Sequence, residues 1–243
     1  MAMKNVIFDL DGTLVDSVPG IQWSVEAAMK ECGISRECPD LTPSIGPPVR
    51  AILAVAAGTT DPTELDRLER SFRAVYDTDG WRRTRCQPGV RPMLEQLSAA
   101  GCMLSIVTNK PAHATRLILP ELGLAGYFIE IVCRDSCSMI SRPGAPPFGS
   151  KAEMLTDLLD RRGMSLDESI LVGDTMEDCH AAAAVGIDCA VVPHGYGRDL
   201  DGTLPEGCRR LAGWDELVKW CTGTQFTNDS IQDSPQQSAL MRG

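Results

Sequence analysis

The sequence predicts an α/β fold, a doubly wound parallel sheet with a small inserted all-helical domain. Three observations carry that prediction. Apolar runs without polar alternation recur at residues 6–8, 103–107, 127–133, 170–172 and 189–192, as expected of strands covered on both faces. Stretches of helical periodicity alternate with these runs from residue 92 onward, the rhythm of βαβ units. Between residues 17 and 84 no strand-like run occurs, so that segment is expected to be all helical.

In chain order, Val6-Ile7-Phe8 is the first strand. Residues 21–29 follow as a helix, with Ile21, Val25, Ala28 and Met29 on one face and Gly33 as its stop. A Pro-rich turn spans residues 42–48. Pro48 then opens a helix over 49–57, and Asp61-Pro62 caps and starts another that runs to about Tyr76. Residues 92–100 read as a helix ended by Gly101, 103–107 as a strand, 111–122 as a helix and 127–133 as a third strand. The Ser/Pro/Gly-rich stretch 134–150 is a long loop. Ser150, with Glu153 three residues on, caps a helix over 151–162. A strand at 170–172, an Ala-rich helix at 176–185 stopped by Gly186, and a last strand at 189–192 complete the pattern. Residues 223–243 are polar and expected to be a disordered tail.

Composition narrows the function classes. With 243 residues, 43% apolar and 23% charged, the chain is an ordinary soluble globular protein large enough for one domain and an insert. Its net charge of −10 excludes nucleic acid as the expected partner, because phosphates would be repelled. No stretch is long and apolar enough to predict a membrane span, and nothing resembles a secretory signal. The ten cysteines form no CxxC pair, and Cys133 and Cys137 lack a second pair or a nearby His. They are therefore expected to be reduced, mainly buried thiols of a cytoplasmic protein.

The chemistry concentrates at strand ends. Asp9 and Asp11 follow the first strand, one residue apart, and alternation points both toward the crevice at the carboxyl edge of the sheet. Two carboxylates so close repel, and one holds a proton unless a cation sits between them. Gly12 permits the turn that follows. Thr108 and Asn109 end a second strand. Asp174 ends another, with Asp178 four residues on, on the same face of a helix start. Lys151 opens a helix, where a cation is disfavoured by the helix dipole and so calls for another reason to be there.

Asp9-Leu10-Asp11-Gly12-Thr13-Leu14-Val15 resembles the first motif of the haloacid dehalogenase (HAD) superfamily, in its phosphatase branch. Ser105–Asn109 resembles the second motif and Gly173-Asp174-Thr175-Met176-Glu177-Asp178 the fourth. The third-motif Lys fits less closely. Arg142, in Ser141-Arg142-Pro143-Gly144, holds the place of a Lys-Pro pair, and Lys151 is favoured for the role. The resemblance, nearest to phosphoglycolate phosphatases, implies a Mg2+-dependent phosphomonoester hydrolase. In it, Asp9 is the nucleophile and forms an aspartyl-phosphate, and Asp11 is the acid and base. Mg2+ is held by Asp9, the Asp11 carbonyl and Asp174, with Asp178 reaching it through water. Gly12, Thr108, Asn109 and Lys151 would hold the phosphoryl group. A phosphomutase of the same fold, or a non-catalytic binding protein on it, would carry the same motifs.

Spacing locates the insert. Asp11 and Thr108 lie 97 positions apart, whereas Thr108 and Lys151 lie 43 apart. The helical cap is therefore expected at 17–84, with the core at 1–16 and 85–222. Within the cap, Ile45-Gly46-Pro47-Pro48-Val49-Arg50 resembles the family's specificity loop, and Arg50 would meet a second anionic group on a small phosphorylated metabolite. The protein is expected to be a monomer or homodimer. His194-Gly195-Tyr196-Gly197 is read as a packing or cap-contact loop, His180 as structural and His113 as a surface residue.

Overall fold

The computed structural model describes residues 3–135, 147–197 and 203–223. Strand β1 (Asn5–Phe8) lies in the middle of a six-stranded sheet in the order β5-β4-β1-β6-β7-β8. β4 (Met103–Thr108) and β6 (Ser169–Gly173) flank β1, β5 (Glu130–Cys133) lies outside β4, and β7 (Asp188–Val191) and β8 (Cys208–Arg210) continue beyond β6. Every pairing in this sheet is parallel. Strand order therefore reverses at β1, and a parallel sheet opens its ligand crevice at the carboxyl ends beside that switch point.

Helices α4 (Val90–Ala99), α5 (Ala112–Glu121), α6 (Lys151–Arg162), α7 (Met176–Val185) and α8 (Trp214–Thr222) cover the sheet. Alternation within β1 divides the core. Val6 and Phe8 join one apolar cluster, and Ile7 packs with Val107, Leu155 and Leu171 in a second cluster that includes α6 and α7 side chains. Both faces are buried, which is why the strands read as unbroken apolar runs.

Between β1 and β4 come α1 (Val18–Glu31), α2 (Val49–Ala57) and α3 (Pro62–Tyr76), with no strand from Ser17 to Thr84. α1 packs on α3, and α2 packs beside it. Ile21, Val25, Leu53, Leu68 and Phe72 are buried at their centre. The Asp61 carboxylate accepts from Thr63 N at 2.8 Å, with Pro62 at the first helical position, so α3 starts where its cap signals place it. The segment is entered and left through a two-stranded antiparallel ribbon of β2 (Val15–Asp16) and β3 (Arg85–Cys86).

Four expectations need correction. The strand at 189–192 is not the last, because β8 follows it and α8 follows that. The strand expected at 127–133 begins at Glu130, after a 3-10 turn over Ala125–Tyr127. The cysteines are less hidden than expected: Cys133, Cys179, Cys189 and Cys221 are buried, but Cys32, Cys38, Cys86, Cys102 and Cys208 are half-buried, all of them free thiols. His180 is exposed on α7 rather than packed. Cys137, Arg142 and the tail from residue 224 lie outside the described residues.

Candidate active site

Asp9 follows β1 directly, tied in by its backbone N–H donating to Val172 O at 2.8 Å. Carboxylate oxygens of Asp9, Asp174 and Asp178 all lie within 4.8 Å of one another, and all three residues are buried. Lys151 Nζ lies 3.1 Å from Asp9 Oδ1 and donates to Asp178 Oδ1 at 2.7 Å. Lys151 is the first residue of α6, placed by the Ser150 hydroxyl, which accepts from Glu153 N at 3.2 Å. The dipole at a helix start is unfavourable for an ammonium, and the two buried carboxylates outweigh it.

Asp174 and Asp178 sit differently. Asp178 Oδ2 accepts from Asp174 N, Thr175 N and the Thr175 hydroxyl at 3.2, 3.0 and 2.7 Å. With Oδ1 on Lys151, both of its oxygens are engaged by the protein. Asp174 Oδ1 accepts from the Thr13 hydroxyl at 3.2 Å and Oδ2 from Tyr196 N at 2.7 Å. Gly12 adopts φ +86°, and a Cβ there would lie 2.3 Å from Asp174 Oδ2. A glycine thus lets the first-motif turn close against the Asp174 carboxylate.

The proton affinities follow from burial. Burial pushes Asp9 up to about 8 and the carboxylates of Asp178, Asp174 and Asp11 push the same way, against the pull of Lys151. Asp174 is raised to about 7, first by burial and then by Asp178. Asp178 goes the other way, held low against its burial by Lys151 and by the Thr175 hydrogen bonds. Lys151 is raised by Asp178 and Asp9, which overcome its desolvation.

Asp11 has a partner that sequence reasoning missed. Lys110 Nζ donates to Asp11 Oδ1 and Oδ2 at 3.0 and 3.1 Å. The ammonium is buried and lies 5.2 Å from the centre of the Tyr76 ring at the end of α3. Thr108 is buried at the end of β4, and its hydroxyl accepts from Lys110 N at 3.2 Å. Asn109 Nδ2 donates to the Glu177 carboxylate at 2.9 Å and to Gly46 O at 3.2 Å. Its side chain therefore links the core to the Pro-rich loop. Arg134, also unforeseen, donates to Asn109 Oδ1 at 3.2 Å.

A cavity of about 350 Å³ opens above these groups. Its floor includes Asp9, Asp11, Thr108 and Lys110, and Ile45, Ile52, Phe72 and Tyr76 form much of its apolar wall. Arg50 is at the rim but is engaged: it donates to Asp66 Oδ1 at 2.6 Å and to Pro62 O at 3.2 Å. The 194–197 loop does make the contacts expected of it. Tyr196 Oη accepts from Ser17 N at 2.8 Å and donates to Asp16 Oδ1 at 3.1 Å, and His194 Nε2 lies 3.0 Å from Thr13 O.

Residues 6–192 match the family model of haloacid dehalogenase-like hydrolases. The chain belongs to that family. Among relatives of this HAD hydrolase, tyrosine-protein kinase PtkA of Mycobacterium tuberculosis is 36% identical over 215 residues, covering 87% of this chain and 70% of PtkA. A phosphoglycolate phosphatase of Rhodospirillum rubrum is 32% identical over 255 residues, covering 97% and 98% of the two chains. Of the solved structures, a haloacid dehalogenase-like hydrolase from Streptococcus pneumoniae superposes with a TM-score of 0.75 at 26% identity, covering 90% of this chain and 98% of its own. No helix among the described residues is long and apolar enough to cross a membrane.

Proposed function

We propose that this HAD hydrolase is a Mg2+-dependent phosphatase that hydrolyses a small phosphomonoester, a phosphoglycolate-like metabolite, through an aspartyl-phosphate on Asp9. One observation carries the reading. Asp9 lies at the floor of the cavity between a buried ammonium, Lys151, and the carboxylates of Asp174 and Asp178. The relatives that are phosphoglycolate phosphatases support the substrate class.

The donor set fits a hard divalent cation. Four carboxylates, Asp9, Asp11, Asp174 and Asp178, face two ammonium groups, Lys110 and Lys151. All the acidic donors are oxygens, and burial with mutual repulsion raises the proton affinity of Asp9 and Asp174, a strain that a cation would relieve. Asp9, the Asp11 carbonyl and Asp174 would hold Mg2+, with Asp178 beyond them, joined through water. When bound, the ion neutralises charge on the transferring phosphoryl oxygens.

Asp9 attacks phosphorus as the nucleophile. Asp11 donates a proton to the leaving oxygen and then takes one from the water that cleaves the acyl-phosphate. Lys110 donates to both Asp11 carboxylate oxygens, and an arriving phosphoryl dianion would compete for that ammonium. The Thr108 hydroxyl, the Asn109 backbone N–H and Lys151 hold the phosphoryl oxygens, whereas the Gly12 N–H, expected to join them, donates to Val15 O at 2.8 Å and shapes the turn instead. Residues 17–84 act as a cap over the core of 1–16 and 85–222, excluding water and reading the leaving group through Ile45, Ile52 and Phe72. Arg50 reads a second anion by exchanging its carboxylate partners for it.

The test is phosphate release from a panel of phosphomonoesters, with and without Mg2+, from the wild type and Asp9→Asn. Metal-dependent release that disappears in Asp9→Asn supports the reading. Isomerised product in place of free phosphate points to a mutase. Folded protein that releases phosphate from no member of the panel overturns the proposal.

A further inference from the structure

Away from the carboxylates, the fold brings together three thiols that are far apart in the chain. Cys179 comes from α7, Cys189 from β7 and Cys208 from β8. Their Sγ atoms all lie within 4.8 Å of one another. Cys189 and Cys208 are direct neighbours across the parallel β7–β8 pairing. Cys179 approaches from the helix above, where Cys208 Sγ donates to its carbonyl at 3.8 Å. Cys179 and Cys189 are fully buried, and Cys208 is half-buried at the edge of the sheet.

Packing does not require this arrangement. A buried thiol serves a core as a small apolar group, which Ala or Val supplies equally well, and a disulfide would use two sulfurs and leave the third. Three sulfurs converging from a helix and two paired strands have the form of a ligand set. Tetrahedral thiolate ligation at about 2.3 Å places the sulfurs about 3.8 Å apart, an adjustment of at most about 1 Å from a cluster bounded at 4.8 Å.

We infer that Cys179, Cys189 and Cys208 form a binding site for a thiophilic d10 cation, Zn2+ or Cu+, separate from the carboxylate site. Soft thiolates select such ions over Mg2+. The half-buried side of Cys208 gives the cation its entry and leaves a position for water in a four-coordinate Zn2+ site. Cu+ would need the three sulfurs alone. Binding replaces three S–H protons by one cation, so no oxidant or reductant takes part. The site lies one residue from Asp178 through Cys179, so occupancy stiffens the start of the helix that also carries that carboxylate.

The experiment is a Cd2+ titration of the full chain, reduced, metal-free and kept in excess Mg2+. Carboxylates produce no thiolate-to-metal charge-transfer absorption, so the ultraviolet band reads sulfur ligation alone. The expected result is a band that saturates at one equivalent, is lost in Cys208→Ser and in Cys189→Ser, and persists in Cys38→Ser. Competition by Zn2+ and by Cu+ then identifies the preferred ion. Phosphate release by Cys208→Ser in Mg2+ should equal that of the wild type, which shows that the variant is folded. No band in the wild type, or a band of undiminished strength in folded Cys208→Ser, overturns the inference.

Discussion

The crevice at the carboxyl edge of the sheet and the outer surface of the helical segment are both rich in charge, yet charge does different work in the two. In the crevice, Lys151 and Asp178 expose 3% and 0% of their side chains. On the helical segment, Arg50 and Asp66 expose 40% and 57%. Buried charges without partners are costly, so each crevice group constrains its neighbours. Exposed pairs are screened and contribute little. A fold can therefore change the outer surface freely, whereas each crevice residue is coupled to several others.

Asp9→Asn should break this contrast most strongly. Loss of the proposed nucleophile is expected to lower turnover by at least about a thousandfold, measured as phosphate release in Mg2+. Stability should move the other way. A carboxyl pushed up to about 8 in the folded protein costs nothing below its unfolded value near 4 and increasingly more as pH rises toward 8. In metal-free protein, Asp9→Asn should therefore melt higher than the wild type at pH 8 and with no such advantage at pH 4. A variant that melts lower at pH 8 would show that the Lys151 contact outweighs the burial and repulsion.

Lys151→Met should be the most destabilising single change in the crevice. It leaves Asp9 and Asp178 without their shared ammonium, and breaking a buried pair this way costs about 3–5 kcal/mol. Denaturant melts of metal-free protein measure it. Adding Asp178→Asn should recover part of the loss, because the two residues are coupled. Simple additivity would show that they act independently.

Mg2+ sharpens the same picture through pH. Asp9 is raised to about 8 and Asp174 to about 7, so a cation must displace protons from both below those values. The Mg2+-induced rise in melting temperature should be small at pH 5.5 and grow to pH 8, with apparent affinity changing up to about tenfold per pH unit for each proton displaced. An equal shift at both pH values would place the ion elsewhere.

How much of this was legible in the chain depends on whether a contact is local. Asp9 and Asp11 share a direction because strands alternate, and Asp174 and Asp178 converge because they are four residues apart at a helix start. Lys110 was not legible. Its pairing with Asp11 spans 99 positions and exists because β4 lies beside β1. The three-thiol cluster was hidden for the same reason. β8 went unread because Cys208-Arg209-Arg210 is an edge strand with two exposed arginines rather than an apolar run. β2 and β3 are two residues each, below the length at which periodicity registers. The 194–197 loop was legible as a packing or cap-contact loop, but the particular reach of Tyr196 to Ser17 and Asp16 while its own N–H holds Asp174 depends on loop geometry.

Tyr196 joins the two regions, so Tyr196→Phe tests whether they are mechanically linked. Its hydroxyl is the acceptor for Ser17 N where the chain enters the helical segment. Removing it leaves a buried donor unpaired, at a cost of about 1–3 kcal/mol. The backbone contact to Asp174 remains, so Mg2+ binding should be retained. Urea melts and Mg2+ titration together separate these outcomes, and a loss of Mg2+ affinity would show that the hydroxyl also positions Asp174.

Arg50→Ala should have the smallest effect on the folded protein and the most selective effect on function. The guanidinium is exposed and shared among Asp66, Glu69 and Pro62 O, so its removal should leave the melting temperature unmoved. In the proposed function it trades those partners for an anionic group on a substrate. A substrate with a second anion should then lose affinity, seen as a higher KM at unchanged kcat, because the contact is made equally in the bound and transition states. A substrate with only its phosphate should be unaffected. If both substrates respond alike, Arg50 serves the shape of the loop rather than recognition, and selection must come from the apolar wall of Ile45, Ile52 and Phe72.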